Sequence, residues 1–340
     1  MDNRGIRLGV PRACVLPVLG SRPGTIGGVA GLRLPQGRPV SVVVDRLLSG
    51  HASCPGCAVA LGVRQVLQAV PANTVLVVPP SCIAVMMGPL PLASTTLPVY
   101  QTAFETTAAA AAGLSRAYRA RGEDVAVVCL AGDGGTYDIG LQALSGAAER
   151  NEDFLYVCFD NEAYQNTGNQ KSGATPWGAR TTSTPRGKAT RKKEIMEILA
   201  AHRIPYAATA SPAFREDLVA KVTRAVAIRG TRFILVACPC VPGWGIADDA
   251  SLALARLAVE SRALPLYEVE DGRRHRITYW PAGIPVADYL RAQSRYAHLD
   301  ESQVAEIQVE VDRRWVALVE SAGHTAAPAG NGRGALTPVS

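Results

Sequence analysis

The chain has 340 residues, of which 48% are hydrophobic and 19% charged, and its formal net charge is +6 at pH 7. A chain of this size can bury a large core without disulfides, and none of its apolar runs reaches the roughly 18 residues of a membrane-spanning helix. The positive charge alone does not indicate nucleic acid, because the basic run at residues 188–193 is typical of a solvated helix face and no nucleic-acid-binding motif accompanies it. We therefore expect a globular protein that binds neither membrane nor nucleic acid.

Short apolar runs alternate with segments of helical spacing along most of the chain. Strands are predicted at residues 74–78, 125–130, 154–159, 206–209 and 233–237. Helices are predicted at residues 105–118, 139–148, 189–201, 212–228, 286–295 and 301–320. This alternation predicts an α/β fold with a doubly wound, mostly parallel sheet.

The composition divides the chain into four segments. Residues 1–44, rich in Gly, Pro and Arg, form an N-terminal extension that we expect to be flexible or to cover a partner. Residues 45–265 form the α/β domain, and residues 266–323 form a helical C-terminal segment packed on it. Residues 324–340, rich in Ala, Gly and Pro, are predicted to be a disordered tail.

The most informative motif lies where two predicted strands end. The first of these strands is followed by the small-residue turn Ala131-Gly132-Asp133-Gly134-Gly135, which lets the backbone approach a phosphate closely. The second strand ends at Asp160-Asn161. Because a βαβ crossover brings both strand ends to the same edge of a sheet, Asp133 and Asn161 can bind one ion together.

The donors at these strand ends suit a magnesium ion bound to a diphosphate. Mg2+ takes six oxygen ligands in an octahedron at about 2.0 to 2.1 Å. The Asp133 carboxylate, the Asn161 amide oxygen, a backbone carbonyl near Ala163 and two diphosphate oxygens would leave one position for water. A Gly-Asp-Gly turn alone is more often a simple tight loop, but the second strand end favours the metal interpretation.

The eight cysteines supply a second group of candidate ligands. Cys54 and Cys57 form a C-x2-C pair, Cys82 follows one predicted strand, and Cys238 and Cys240 follow another. Four thiolates from these positions could bind either a [4Fe-4S] cluster or a zinc ion, and a lone C-x2-C pair does not distinguish the two.

Two further cysteines, Cys129 and Cys158, lie within apolar strands, where a free cysteine usually behaves as a small hydrophobe. Nothing at the N-terminus resembles a signal peptide. We therefore expect a cytoplasmic protein, in which cysteines at such spacings are more often metal-bound or catalytic than paired in disulfides.

The Gly-Asp-Gly motif and the Asn-containing strand end resemble those of thiamine diphosphate enzymes. Together with the cysteines they resemble one family closely: the β subunit of pyruvate:ferredoxin oxidoreductase and its 2-oxoacid relatives. The resemblance covers roughly residues 45–320, and its family-like stretches are residues 50–57, 131–146, 160–168, 173–176, 184–188 and 239–244. It implies the diphosphate-binding half of the thiamine diphosphate fold, with cluster-binding loops and a helical C-terminal segment.

The resemblance also implies roles for individual residues. Thiamine diphosphate would be bound by Gly132, Asp133, Gly134, Gly135, Asn161, Ala163, Tyr164, Asn166 and Thr167. Mg2+ would be held by Asp133, Asn161 and the backbone carbonyl of Ala163. Asn166 would be the catalytic residue, pointing at the thiazolium end of the cofactor and hydrogen-bonding the substrate-derived oxygen as charge develops. Its alternative role is that of an ordinary turn residue.

The same resemblance places one [4Fe-4S] cluster on Cys54, Cys57, Cys82 and Cys240. The Pro-Cys-x-x-Gly-Trp element at residues 239–244 makes Cys240 the fourth ligand, with Cys238 as the alternative. His51, beside the C-x2-C pair, is either a hydrogen-bond donor to the site or a turn cap.

Some positions depart from the family pattern. Ala58-Val59 follows Cys57 and Ile83-Ala84 follows Cys82, where relatives commonly have other residues. Gln165 and Asn169 also differ from the residues usual in their loop.

The implied reaction is the oxidative decarboxylation of pyruvate or a related 2-oxoacid with coenzyme A, as in pyruvate synthase, giving acyl-CoA, CO2 and reduced ferredoxin. The chain corresponds to only the diphosphate-binding half of such an enzyme. The resemblance therefore implies an α subunit that carries the pyrimidine-binding domain. Further candidate partners are γ and ferredoxin-like δ subunits, and ferredoxin or flavodoxin as electron acceptor, which a basic surface would attract.

Other interpretations remain open at this point. The chain could be a non-redox thiamine diphosphate-dependent decarboxylase or a transketolase-like subunit, with cysteines that bind zinc or nothing. It could also serve an oxidoreductase of oxalate, phenylglyoxylate or branched-chain 2-oxoacids. A non-catalytic assembly subunit is disfavoured by the intact Asp133, Asn161 and Asn166.

Overall fold

The computed structural model describes residues 45–89 and 91–323. The predicted N-terminal extension at residues 1–44 and the predicted tail at residues 324–340 lie outside the described residues. The expectations for these two segments therefore stay predictions.

The described part of the chain folds around one mixed sheet of eight strands. In chain order the strands are β1 Thr74–Val78, β2 Val99–Gln101, β3 Ala126–Gly132, β4 Phe154–Asp160, β5 Tyr206–Ala210, β6 Thr231–Ala237, β7 Tyr267–Glu270 and β8 Arg274–Ile277. Their order across the sheet is β2-β1-β3-β4-β6-β5-β7-β8. Strands β1 to β6 pair in parallel, whereas β7 is antiparallel to β5 and β8 is antiparallel to β7. The predicted α/β fold with a mostly parallel sheet is confirmed.

Helices connect and cover these strands. In chain order they are α1 Ala58–Ala69, α2 Cys82–Met87, α3 Thr107–Ala120, α4 Leu141–Glu149, α5 Ile195–Ala201, α6 Arg215–Ala227, α7 Val241–Trp244, α8 Ser251–Glu260, α9 Val286–Arg291 and α10 Glu301–Ser321. A π-helical turn at Gly134–Asp138 precedes α4, and a 3-10 turn at Ser294–Tyr296 follows α9. Among the described residues, none of the helices combines the length and the apolar character needed to cross a membrane.

The core has one layer on each face of the sheet. Because strand side chains alternate in direction, Leu76 and Val78 pack with α1 and α6 on one face, whereas Val77 packs with α3 and α4 on the other. Strands β3 and β4 are buried on both faces, which explains why their sequences are nearly continuous apolar runs. Helices α8, α9 and α10 form a further cluster with Trp244.

Two predictions about secondary structure are wrong. The helix predicted at residues 189–201 begins only at Ile195, because the preceding residues run irregularly toward the carboxyl edge of the sheet. The predicted helical segment at residues 266–323 opens with the antiparallel hairpin β7–β8, so the beginning of this segment belongs to the sheet. Its two strands are only four residues long: β7 alternates apolar and charged residues too briefly to mark a strand, and β8 has a single apolar residue, Ile277.

The hairpin is tied to the rest of the domain through a buried lysine. Lys221 on α6 has a side chain only 1% exposed to solvent. Its ammonium group donates to Asp217 Oδ2 at 2.6 Å, to the carbonyl of Thr209 at 2.8 Å and to Thr278 Oγ1 at 2.8 Å. Burial lowers the pKa of this lysine, and the Asp217 carboxylate opposes that shift. Thus α6, β5 and the residue after β8 meet at one cation.

We expect Lys221→Met to lower the free energy of unfolding by about 3 to 5 kcal/mol, because it leaves the half-buried Asp217 carboxylate without its partner. Urea titration of the purified protein measures this change. Arg215→Ala, at the exposed start of the same helix, is the control and should change the stability by less than about 1 kcal/mol. A loss that small for Lys221→Met would show that the lysine does not hold the hairpin.

Candidate functional site

The carboxyl edge of the parallel sheet places the predicted metal ligands side by side. Strands β3 and β4 are paired so that Gly132 lies opposite Phe159, and Asp160 of β4 lies opposite Ala237 of β6. Asp133 and Asn161 follow directly and are 2% and 6% exposed. The register of the sheet therefore brings both side chains to one buried position.

Asp133 opens the π-helical turn Gly134–Asp138, a wide turn of the kind often found at functional sites. Thr136 Oγ1 donates to the carbonyl of Gly132 at 2.7 Å and closes the turn. A Cβ atom on Gly134 would lie 2.3 Å from the ring of Tyr164. Glycine is required at this position because the tyrosine ring packs directly on the backbone.

Three oxygen atoms face one another beside this turn. Asn161 Oδ1 lies 3.0 Å from Asp133 Oδ1 and 3.0 Å from the carbonyl oxygen of Ala163. Oxygens at this spacing repel one another unless a cation or a proton lies between them. Adjacent ligands of an octahedral Mg2+ ion are about 2.8 to 3.0 Å apart, given bonds of about 2.0 to 2.1 Å. The two separations from Asn161 Oδ1 thus match those of adjacent Mg2+ ligands.

The Asn161 amide has two possible orientations. Rotated by 180°, its NH2 group would donate to the same two oxygens at 3.0 Å. That orientation satisfies the side chain without an ion, whereas the orientation with the oxygen inward suits a bound cation. Rotation of the side-chain amide alone therefore changes Asn161 from an oxygen ligand for a cation to a hydrogen-bond donor to the same two oxygens.

The carboxylates of this region are crowded and buried. Burial raises the pKa of Asp133 well above its usual range, and repulsion from Asp160 adds to the increase. Ser172 Oγ, which donates to Asp133 Oδ2 at 2.5 Å, and the cation of Lys192 act in the opposite direction. A divalent cation at the three oxygens would likewise favour the ionised form of Asp133.

Lys192 is the counter-ion of the residues around Asn161. Its ammonium group lies 2.6 Å from Asp160 Oδ2 and 3.0 Å from Glu162 Oε1, and Arg295 binds the other oxygen of Glu162 at 2.6 Å. Burial lowers the pKa of Lys192, but the two carboxylates outweigh burial and raise it overall. Glu162 itself has a left-handed backbone with φ of 64°, which these contacts hold in place.

A cavity of about 270 Å3 adjoins Asp133 and Asn161. All of the predicted cofactor-binding residues line it: Gly132, Asp133, Gly134, Gly135, Asn161, Ala163, Tyr164, Asn166 and Thr167. Asn166 and Thr167 are exposed, whereas the turn after β3 is mostly buried. Apolar walls come from Val59, Ile83, Phe104 and Phe159, which the sequence analysis did not assign to the site.

The wall formed by Tyr164 is braced through Asp138. The Tyr164 hydroxyl donates to Asp138 Oδ2 at 2.8 Å, and Lys193 Nζ lies 2.9 Å from Asp138 Oδ1. The backbone N–H of Gly173 also donates to Asp138 Oδ2 at 2.9 Å. Burial acts to raise the pKa of Asp138, but these three donors together lower it below its usual range. The ionised carboxylate fixes the tyrosine ring beside the cavity.

The four predicted cluster ligands share one region near this edge. Burial raises the pKa of the Cys82 thiol to about 11, and repulsion from Cys57 and Cys54 adds to it. Burial also raises the pKa of Cys240, to about 12. A hydrogen bond from the backbone N–H of Gly243 acts to lower this pKa, whereas repulsion from Cys82 and Cys57 acts to raise it. Within residues 45–89 and 91–323, no three side chains of the His, Cys, Asp and Glu types stand together as a ready metal-binding group.

The remaining cysteines of the described region are buried. Cys129 and Cys158 lie inside strands β3 and β4 as predicted, and Cys238 is also fully buried. Cys240, in contrast, is partly exposed at the start of α7. His51 Nδ1 is hydrogen-bonded to Ser53 Oγ at 2.8 Å, and both interpretations of His51 stay predictions.

Comparison with known proteins decides the family. Residues 85–237 match the C-terminal TPP-binding domain of thiamine pyrophosphate enzymes, thiamine pyrophosphate being another name for thiamine diphosphate. Pyruvate synthase subunit PorB of Methanothermobacter marburgensis is 48% identical over 273 residues, which cover 78% of this chain and 94% of that protein. Ketoisovalerate oxidoreductase subunit VorB of Pyrococcus abyssi is 42% identical over 287 residues, which cover 81% of this chain and 92% of that protein.

The chain belongs to the PorB/VorB family, whose members are subunits of 2-oxoacid:ferredoxin oxidoreductases. The resemblance found in the sequence and the predicted enzyme class are both confirmed. Since PorB and VorB are named as subunits, this chain too is one component of a larger oxidoreductase. A solved chain of 2-oxoglutarate:ferredoxin oxidoreductase from Magnetococcus marinus, 19% identical, matches 62% of this chain and 79% of its own length with a TM-score of 0.51. That likeness shows the fold.

The interpretation of residues 188–193 as a solvated helix face is wrong for this PorB/VorB chain. The segment is not helical, and Lys192 lies in the buried ion network next to Asn161. Lys188 is only 5% exposed and donates to the carbonyl of Thr175 at 2.6 Å. Nothing in the run of charges itself distinguishes buried from solvated lysines, because the partners lie far away in sequence.

Lys188 makes the free energy of unfolding depend on pH in the alkaline range. Burial lowers its pKa from 10.5 to about 8, with help from Lys171 and Lys192. Between these two pH values the unfolded chain binds more protons at this lysine than the folded chain does, so its contribution to folding stability rises with pH. Replacement by an uncharged residue should remove this dependence.

We therefore expect the free energy of unfolding to increase from pH 8 to pH 10 more steeply in the wild type than in Lys188→Met. Urea titrations at pH 8, 9 and 10 measure both slopes. Arg186→Met makes a matched replacement at an exposed basic residue nearby and should keep the wild-type slope. Equal slopes for wild type and Lys188→Met would contradict the expectation.

Proposed function

We propose that this chain is the thiamine diphosphate- and [4Fe-4S]-containing β subunit of a 2-oxoacid:ferredoxin oxidoreductase. Its complex would convert pyruvate or a related 2-oxoacid, with coenzyme A, to acyl-CoA, CO2 and reduced ferredoxin. The observation that carries the proposal is the Asn161 amide oxygen, 3.0 Å from both Asp133 Oδ1 and the carbonyl oxygen of Ala163, beside a cavity lined by the family's motif residues.

The residues of the cavity divide the work of holding the cofactor. Asp133, Asn161 and the carbonyl of Ala163 would hold Mg2+. The glycine-rich turn after β3 leaves room for a diphosphate bound to the same ion. When bound, thiamine diphosphate supplies the electron sink that a 2-oxoacid needs to lose CO2. Ile83 and Phe104 give the cavity apolar walls. Asn166, exposed at the rim, can donate its amide to an oxygen on which negative charge develops.

The nearness of four cysteines, Cys54, Cys57, Cys82 and Cys240, supports an iron–sulfur cluster in this subunit. A [4Fe-4S] cluster held by Cys54, Cys57, Cys82 and Cys240 would supply one-electron transfer out of the site. Because burial raises the pKa of Cys57, Cys82 and Cys240, these thiols are protonated at neutral pH, and cluster assembly would release their protons. The free thiols of the described cysteines suit a reducing compartment, and we place the protein in the cytoplasm.

The substrate we propose is pyruvate, with a branched-chain 2-oxoacid as the alternative. Relatives named PorB, for pyruvate synthase, are 40% to 48% identical, and relatives named VorB, for ketoisovalerate oxidoreductase, are 42% identical. The partners we propose are an α subunit with the pyrimidine-binding domain, further γ and ferredoxin-like δ subunits, and ferredoxin or flavodoxin as electron acceptor. Each supplies a part that the described residues of this chain do not contain.

The metal assignment is tested by Asp133→Ala in the purified complex. We expect the complex to lose at least about 100-fold in affinity for thiamine diphosphate, because a charged ligand is removed from the ion that anchors the diphosphate. Quenching of protein fluorescence by added cofactor measures the affinity. Asp124→Ala removes a carboxylate that is 85% exposed and should bind the cofactor as the wild type does. Unchanged retention by Asp133→Ala would overturn the magnesium site.

The cluster assignment is tested by a pair of cysteine variants. We expect Cys240→Ser to lose cluster iron, whereas Cys238→Ser, which changes a fully buried neighbour, should keep about four irons and four sulfides per chain. Iron, sulfide and zinc analysis of anaerobically purified complexes measures this, together with their electron paramagnetic resonance spectra. The opposite pattern would move the fourth ligand to Cys238, and one zinc without sulfide in the wild type would exclude the cluster.

A further inference from the structure

The backbone carbonyl of Asn161 is held from two sides. The indole N–H of Trp244 donates to this oxygen at 2.9 Å, and the amide of Gln165 donates to it at 3.1 Å. The side chain of the same residue is one of the three oxygens that face one another at the proposed metal site. The position of a proposed metal ligand is thus fixed by donors from outside its own strand.

Trp244 is itself held firmly. It is 3% exposed, and its backbone N–H donates to the carbonyl of Cys240 at 2.9 Å. The guanidinium of Arg295 lies 3.7 Å from the centre of the indole ring. Because Arg295 also binds Glu162, the residue after Asn161, the indole and the metal loop share one cation.

The residue before Trp244 packs directly against the loop that follows β4. A Cβ atom on Gly243 would lie 1.8 Å from Gln165 Oε1, so the loop and α7 are in direct contact. Asn169 Nδ2 donates to the carbonyl of Gly243 at 3.3 Å. Gln165 and Asn169 are the two loop residues that depart from the family pattern, and both contact this turn.

We propose that Trp244 is a positioning residue for the metal site. Its indole N–H fixes the carbonyl of Asn161, and thereby the direction in which the Asn161 amide oxygen meets Asp133 and Ala163. The same hydrogen bond joins α7, which begins just after Cys240, to the loop that follows β4. The inference rests on the proposed function, since Trp244 acts through a residue assigned there to Mg2+.

Loss of the indole N–H would leave the buried carbonyl with only Gln165 as donor. The carbonyl and its peptide plane could then rotate, and the amide oxygen would leave the octahedral position. We therefore expect the affinity for the cation to fall, whereas the reaction of the substrate is not directly affected. Mn2+ is a suitable probe, because it accepts the same oxygen ligands and is paramagnetic.

The experiment measures Mn2+ affinity in the complex with thiamine diphosphate present, by electron paramagnetic resonance of free and bound Mn2+. Trp244→Phe should weaken binding about tenfold, the effect of one buried hydrogen bond, and should alter the spectrum of the bound ion. Trp315→Phe makes the same substitution at a buried tryptophan of a different cluster and should leave both unchanged.

A second replacement separates the N–H from the packing of the ring. Benzothienylalanine at position 244 keeps a bicyclic ring beneath Arg295 but has no N–H, so it should weaken Mn2+ binding as Trp244→Phe does although the packing of the ring is kept. Wild-type Mn2+ affinity in this variant would overturn the inference about Trp244. The proposed function would still stand if Asp133→Ala bound Mn2+ more weakly than the wild type. If wild type and Asp133→Ala bind Mn2+ equally, both proposals fail.

Discussion

The site depends on one buried cation. Asp133 and Asp160 lie at the ends of neighbouring parallel strands with almost no access to water, and burial, followed by repulsion from Asp160, raises the pKa of Asp133. Lys192 lies against Asp160 and Glu162, the residues on either side of Asn161, and partly neutralises this charge. Removing one partner of such a buried ion network leaves an unpaired charge in the protein interior. The irregular segment before α5 places this lysine at the carboxyl edge of the sheet.

The parts of the structure that the sequence predicted are those set by local pattern. Strands β3 and β4 lie within two residues of their predicted bounds, because burial on both faces demands an uninterrupted apolar run. The positions of Asp133 and Asn161 follow from the handedness of a βαβ unit, which fixes the edge where both strands end. The cavity residues were found through the resemblance, since their spacing alone does not specify a ligand.

The parts that could not be predicted depend on contacts distant in sequence. Lys192 is indistinguishable in sequence from a solvated lysine, because its partners lie about thirty residues away and the fold brings them together. Arg295 reaches Glu162 across 133 residues. The strands β7 and β8 are short and charged, so they gain their structure from pairing with β5 rather than from their own pattern.

The two outer strands of the sheet shape how the protein can assemble. An uncovered strand is a template on which another chain can add a strand of its own. Here β8 presents Arg274 and Arg276, with side chains 67% and 52% exposed, and β2 is only three residues long. Both edges therefore resist extension of the sheet from one molecule to the next. Within the described residues, an interface with another subunit is therefore expected to use helices and loops rather than an added strand.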